Sequence, residues 1–227
     1  MKLSSKTLSI LKNFSSINSN IVFSPGNTIK TMANAKNILS SALVTESFET
    51  EFGIYDLNEF LNVIGMFENP ELVFNDKMKY VNITEGKQTI KYFFSDTSIL
   101  TSPAKDINMP STDVEFVLTS DDLNALRKAS SVLGTTDIVV GGTKESSVLS
   151  LLVTDITNST ANSYNIKIDT ETESENDFEL VFNINNFKFV QGDYKVSISS
   201  KLISKFENTA DQLTYWVALE KSSKFNV

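Results

Sequence analysis

The chain has 227 residues, a net charge of -8 and 41% hydrophobic residues, enough for one large domain or two of about 110 with a genuine core. It contains no Cys and no His, which removes disulfides, thiolate and HExxH metal sites, thiol and Ser-His nucleophiles and imidazole acid-base work together. With no P-loop or dinucleotide fingerprint and no apolar run of about 18 residues, neither a cofactor, a metal nor a membrane partner is expected; catalysis by Asp, Glu, Lys or Tyr stays open, but the composition points to a binder or scaffold rather than an enzyme.

Residues 5–17 form the first predicted element. Leu8, Leu11, Phe14 and Ile17 recur every three residues with Ile10 beside them, which predicts an amphipathic helix. Lys6, Ser9, Lys12, Asn13 and Ser16 fall on the opposite arc. Because polar residues interrupt the apolar ones, MKLSSKTLSILKNFSS does not read as a secretory signal. The stretch 1–45 carries Lys2, Lys6, Lys12, Lys30 and Lys36 and no acid, the first being Glu46.

Strand-like sequence follows in NIVFS, TIKTMANA and SSALV, broken by PGN. Residues 46–85 hold nine acids against Lys77 and Lys79. Within them YDLNEFLNVIGMF predicts a second helix, with Leu57, Phe60, Leu61 and Ile64 on one side and Asn58 and Asn62 on the other. ELVFND and MKYVNI then read as strands. SDTSILTSPAKDINMPSTDV holds two of the four prolines and no period, and is expected to be a connector.

The third helix is predicted at 120–133, with Leu123, Leu126, Ala129 and Leu133 inward, Ser120 or Asp121 as N-cap and Gly134 as stop. Its LRKASS repeats the LKNFSS of the first helix at an offset of 115, so that Lys12 matches Arg127 and Ser15-Ser16 match Ser130-Ser131. TDIVV, SVLSLLVTDI and SYNIKI are strand-like, as are DYKVSIS, SKLISKF and TYWVALE beyond. Between the two groups lie an acidic run, Asp169 to Glu179, with six acids and no base, read as a loop, and INNFKFVQG, read as a fourth, shorter helix.

Each half thus reads helix, strands, helix, strands. The expected fold is α+β, with similar domains at 1–98 and 113–227 joined by a connector at 99–112, each placing two helices on antiparallel sheet. An acidic exterior with matched basic helix faces describes a molecule that repels polyanions except at one surface. Lysines among short polar neighbours suit phosphate contact, which positions a duplex without reading its sequence. Closing several copies into a ring would bring such faces together and pair the edges of the sheets.

The opening MKLSSKT…LKNFSSINS, the helix IYDLNEFL, the later QGDYK and the near-terminal YWVALE resemble the DNA polymerase sliding clamps of T-even-type bacteriophages. That family is similar in architecture to the trimeric proliferating-cell clamp. The resemblance implies a homotrimeric ring of two-domain clamp subunits around double-stranded DNA. It also implies that an ATP-driven clamp loader places the ring, which tethers the DNA polymerase and serves late transcription through RNA polymerase-associated factors in the cytoplasm of the infected bacterial host. Carried over, its DNA-facing cations are Lys2, Lys6 and Lys12, then Arg127 and Lys128, and Lys188 in the fourth helix; the second helix departs by offering Asn58, Glu59 and Asn62 instead. Ile99, Leu100, Ile107 and Met109 are candidates for the rim of a partner-tail pocket, or else pin the connector to the body. Two other classes compete: a β-rich viral structural or assembly protein, which leaves the matched basic faces unexplained, and a carboxylate-based hydrolase, for which no pair of converging acids is apparent.

Overall fold

The computed structural model describes residues 1–227 apart from Asp76, Met78, residues 104–106, Thr209 and Val227. Part of the expected connector therefore lies outside the described residues. The chain divides into two compact units, residues 1–106 with 211–213 and residues 107–210 with 214–227.

The first unit begins with α1 (Ser5–Ile17), where Ser4 accepts the Thr7 N–H and the Asn18 N–H returns to Phe14 O. Its buried side is Thr7, Ile10, Leu11, Phe14 and Ile17, whereas Leu8 is only half-covered. Thr7 joins the apolar side because its hydroxyl donates to a Glu46 carboxylate oxygen at 2.5 Å, while the other oxygen accepts the Ser4 N–H. Strands β1 (Ile21–Phe23), β2 (Gly26–Met32), β3 (Ile38–Phe48) and β4 (Phe52–Ile54) follow, pairing β1 with β4 and β2 with β3, all antiparallel. Helix α2 (Leu57–Ile64) is capped by Asp56, which accepts the Glu59 N–H at 2.9 Å. Then β5 (Glu71–Asn75), β6 (Tyr80–Glu85) and β7 (Gln88–Phe93) make an antiparallel meander with β7 at its edge. Buried Phe23, Phe48 and Phe52 and half-buried Phe74 and Phe94 pack with ring centroids 4.6 to 6.1 Å apart, within the range where aromatic pairs add to area burial.

Glu46 is 8% exposed. Burial alone would raise its pKa, but bonds from Thr7, Ser4 and its own N–H outweigh this and hold it below the ordinary glutamate value. A depressed folded-state pKa contributes stability at neutral pH that is lost as pH falls through the folded value. Glu46→Gln is therefore expected to cost roughly 1.5–3 kcal/mol at pH 7. Urea unfolding at pH 7 and pH 3 checks this: the gap between wild type and variant narrows at the lower pH.

The second unit opens on β8 (Val114–Leu118) and α3 (Ser120–Leu133). The N-cap of α3 is Thr119, accepting the Asp122 N–H at 3.1 Å, one residue before the expected position. Gly134 terminates it at φ 66°, a left-handed conformation that glycine adopts without steric penalty. Strands β9 (Asp137–Gly142), β10 (Val148–Thr154), β11 (Tyr164–Asp169) and β12 (Phe178–Asn183) come next, then β13 (Tyr194–Ser199), β14 (Ile203–Asn208), β15 (Leu213–Ala218) and β16 (Lys224–Phe225). One sheet has the order β11-β10-β9-β12-β16, and β8, β13, β14 and β15 lie side by side in another. Helix α3 packs on β10 and β11.

The expectation of a fourth helix is corrected. After a single 3-10 turn at Ile184–Asn186, residues 187–190 have no regular structure. Phe187 and Phe189 are both buried, with stacked rings 5.0 Å apart. Residues i and i+2 stand about 200° apart on a helix, so a helix would turn the two rings away from each other; instead Phe187 leaves the 3-10 turn at φ -83° and ψ 56°. They join Phe182, Tyr194, Phe206 and Tyr215 in an aromatic core with centroids 4.6 to 6.1 Å apart. The acidic run from Asp169 to Glu179 leaves β11 and returns over the β9–β10 turn, where Lys144 N–H donates to Asp177 at 2.8 Å. Its Glu171, Glu173 and Glu175 are exposed.

Candidate nucleic-acid interface

On α1 the exposed positions are Ser5, Lys6, Ser9, Lys12 and Ser16, with Lys2 exposed just before the helix. No acid lies in its first turn. Lys12 borders a cleft of about 300 Å³ between α1 and α2, lined also by Asn58, Asn62 and Glu68. Lys6 stands 3.1 Å from Asp211, both partly exposed. An exposed pair of this kind contributes little to stability, but it lowers the net charge that Lys6 offers.

Helix α2 exposes Asn58, Glu59 and Asn62 and no cation. Glu59 has a partner: Tyr92 on β7 donates its hydroxyl to the Glu59 carboxylate at 3.0 Å and lies 3.3 Å from Asp56 O. Burial, and then Glu59, raise the Tyr92 phenol well above its usual range. The start of α2 is thereby fastened to the edge strand β7.

Helix α3 exposes Asp121, Asn124, Lys128 and Ser131, and also Val132. Arg127, the counterpart of Lys12 in the repeat, does not share that face. It is half-buried, and its Nη2 donates to Phe187 O at 2.7 Å and Phe189 O at 3.2 Å. Desolvation lowers its proton affinity, yet a guanidinium starts so high that it stays charged at neutral pH. Lys188 lies between these two phenylalanines, half-exposed and in irregular backbone, not in a helix.

Of the connector residues, Leu100 is buried and Ile99 is 69% exposed. Leu100 lies over Gly53, where a β-carbon would come 2.5 Å from Leu100 Cδ1 and 2.9 Å from Ser95 O. Ser95 N–H donates to Gly53 O, and Thr101 N–H to Asn20 Oδ1 at 3.1 Å, so residues 95–101 are fixed to the first unit. Ile107 and Met109 are half-buried in the second unit. Among the described residues no group of three or more potential ligands could hold a metal ion, and no helix is long and apolar enough to cross a membrane.

This pairing of helices with antiparallel sheets is the sliding-clamp fold. The structure superposes on the Helicobacter pylori beta clamp with a TM-score of 0.69 at 17% identity, over 98% of this chain and 64% of that one. Against the proliferating cellular nuclear antigen of Entamoeba histolytica the TM-score is 0.67 at 18% identity, over 96% and 97%. A family model described as DNA polymerase processivity factor matches residues 2–100, and one described as gp45 sliding clamp, C terminal, matches residues 115–221. The sliding clamp of Vibrio phage KVP40 is 33% identical across 97% of this chain and 99% of its own, and that of Enterobacteria phage T4 is 28% identical across 98% of each. The chain belongs to the phage sliding-clamp family of DNA polymerase processivity factors. The reading as a β-rich structural protein gains no support from these relatives.

Proposed function

We propose that the protein works as a closed homotrimer around double-stranded DNA in the cytoplasm of the infected host, tethering the polymerase without catalysis of its own. A clamp loader opens and closes it, and late transcription factors use the same ring. Lys2, Lys12, Lys128 and Lys188 face the duplex, with a reduced share for Lys6; most exposed residues among them on α1 and α3 are Ser and Asn, so contact is with phosphates and independent of sequence. Ile99 offers an exposed apolar side chain to partner tails, whereas the covered Leu100 serves to pin the connector.

One observation carries the ring. Strands β7 and β11 are both six residues long, both lie at the edge of a sheet, and both alternate half-buried Ile90 and Tyr92, or Ile166 and Ile168, with exposed neighbours. Strand edges of this length are open to pairing with another chain. Pairing β7 of one copy with β11 of the next is a heterologous contact, which closes into a ring when the rotation allows. Sedimentation across a concentration range tests it. Three chains of 25.2 kDa give 75.6 kDa for the trimer; a 25.2 kDa species at every concentration overturns the ring.

A further inference from the structure

Arg127 matches Lys12 in the internal repeat, yet its guanidinium is turned into the second unit and bonded to main-chain oxygens 60 and 62 residues away. The segment it reaches needs those bonds. Residues 187–190 belong to no strand or helix, so their carbonyls have no ladder partner and must find donors elsewhere. Val190 is satisfied by two tyrosines, its N–H donating to Tyr215 Oη at 3.1 Å and its carbonyl accepting from Tyr194 Oη at 2.6 Å. Arg127 supplies the donors for Phe187 and Phe189. Phe187 leaves the 3-10 turn at φ -83° and ψ 56°, and one terminal nitrogen of Arg127 bridges its carbonyl and that of Phe189.

We propose that Arg127 is a positioning residue that acts on DNA through Lys188. By gripping the carbonyls on either side of Lys188 it fixes the backbone from which that lysine projects, while its own charge is occupied within the protein. A lysine at 127 would keep the formal charge but lacks the planar fork, and a single ammonium on a flexible stem holds two carbonyls poorly. This inference rests on the proposal that Lys188 faces the duplex.

The experiment measures the salt dependence of trimer binding to a short duplex for Lys128→Gln, Lys188→Gln, Arg127→Gln, Arg127→Lys and the double variant Arg127→Gln/Lys188→Gln. Removing one phosphate interaction flattens the slope of log K against log salt by about 0.9. Native mass and thermal unfolding are followed alongside. Lys188→Gln is expected to flatten the slope, Arg127→Lys to flatten it nearly as much despite unchanged charge, and the double variant to go no further than Lys188→Gln alone. Amide exchange at residues 188–190 is expected to quicken roughly tenfold in Arg127→Lys. A slope untouched by Arg127→Lys, or additive effects in the double variant, makes Arg127 a direct phosphate ligand and overturns the proposal; so does unchanged exchange. If Lys128→Gln and Lys188→Gln both leave the slope as it was, the DNA-facing reading itself fails and takes the proposal with it. That outcome is recognisable because the quickened exchange of Arg127→Lys would persist. Should Arg127→Gln fail to fold, Arg127→Lys and Lys188→Gln still decide.

Discussion

Replacing Lys12, Lys128 and Lys188 together by Glu will leave the native mass unchanged and abolish processive synthesis on primed circular DNA. Lys12 and Lys128 are exposed on α1 and α3, and Lys188 is half-exposed. The change lowers the charge of each chain from -8 to -14 and turns three attractive positions per chain into repulsive ones. Because phosphate binding acts through released counterions, removing even a few such interactions per ring reduces affinity by orders of magnitude at moderate salt. Polymerase stimulation is expected to drop at least ~100-fold, or about 2.7 kcal/mol. A control separates local from global charge. Lys195, Lys205 and Lys224 are paired with Glu115, Glu207 and Glu179 at 2.9 to 3.2 Å. Reversing those three gives the same net charge, and synthesis should survive. Equal damage from both sets would mean that total charge, rather than the helix faces, governs the activity.

If the proposed trimer closes through β11, proline substitution there will break the ring at one of two adjacent positions and spare it at the other. Ile166 pairs with Leu151 and Lys167 with Ser150 across the β10–β11 ladder. Successive residues of a strand aim their N–H groups in opposite directions, so one of these two donates into the sheet and the other outward. Proline removes the donor and adds bulk at the same spot. At the outward position the protomer stays folded and the 75.6 kDa species gives way to 25.2 kDa, with the dissociation constant rising ~100-fold or more. At the inward position the cost appears instead in unfolding, about 1–3 kcal/mol for the orphaned partner. Two variants that both remain trimeric would remove β11 from the subunit interface.

The elements that sequence renders legible are those whose side-chain period is their main determinant. Helix α1 is readable over 5–17 because Leu11, Phe14 and Ile17 fix its face; the Ser4 cap is seen only in the structure. QTIKYF at β7 and FELVFN at β12 escape a reading by side-chain pattern, for different reasons. The first alternates over only six residues, and its exposed side carries Phe93 as well as Thr89 and Lys91, which blurs the pattern; the second emerges directly from the acidic run, whose composition signals a loop. INNFKFVQG mimics a short helix through Ile184 and Phe187, but the second phenylalanine at 189 belongs to an aromatic core assembled from β12, β13, β14 and β15, which no local window contains. Arg127 fails for the same physical reason. A helical projection separates the inside of α3 from the outside, yet an arginine is long enough to reach round its own helix to carbonyls 60 residues on. Leu100 and Ile99 are neighbours of similar hydropathy, and only the missing side chain of Gly53 decides which of them is covered.

The carboxylate of Glu46 also bears on how a helix can be prepared for a polyanion. Any helix gains from negative charge at its amino end, where the backbone dipole is positive. Helix α3 meets that need on its own surface, with Asp121 and Asp122 in its first turn. Helix α1 borrows instead: it has no acid of its own there, and the anion reaches it from β3, buried from solvent. The field of the helix is thus balanced from beneath, and the outward surface of α1 keeps lysines without a compensating acid beside them on the same helix. A phosphate approaching that surface meets the lysines, while the carboxylate that steadies the helix is held on its buried side by Ser4 and Thr7.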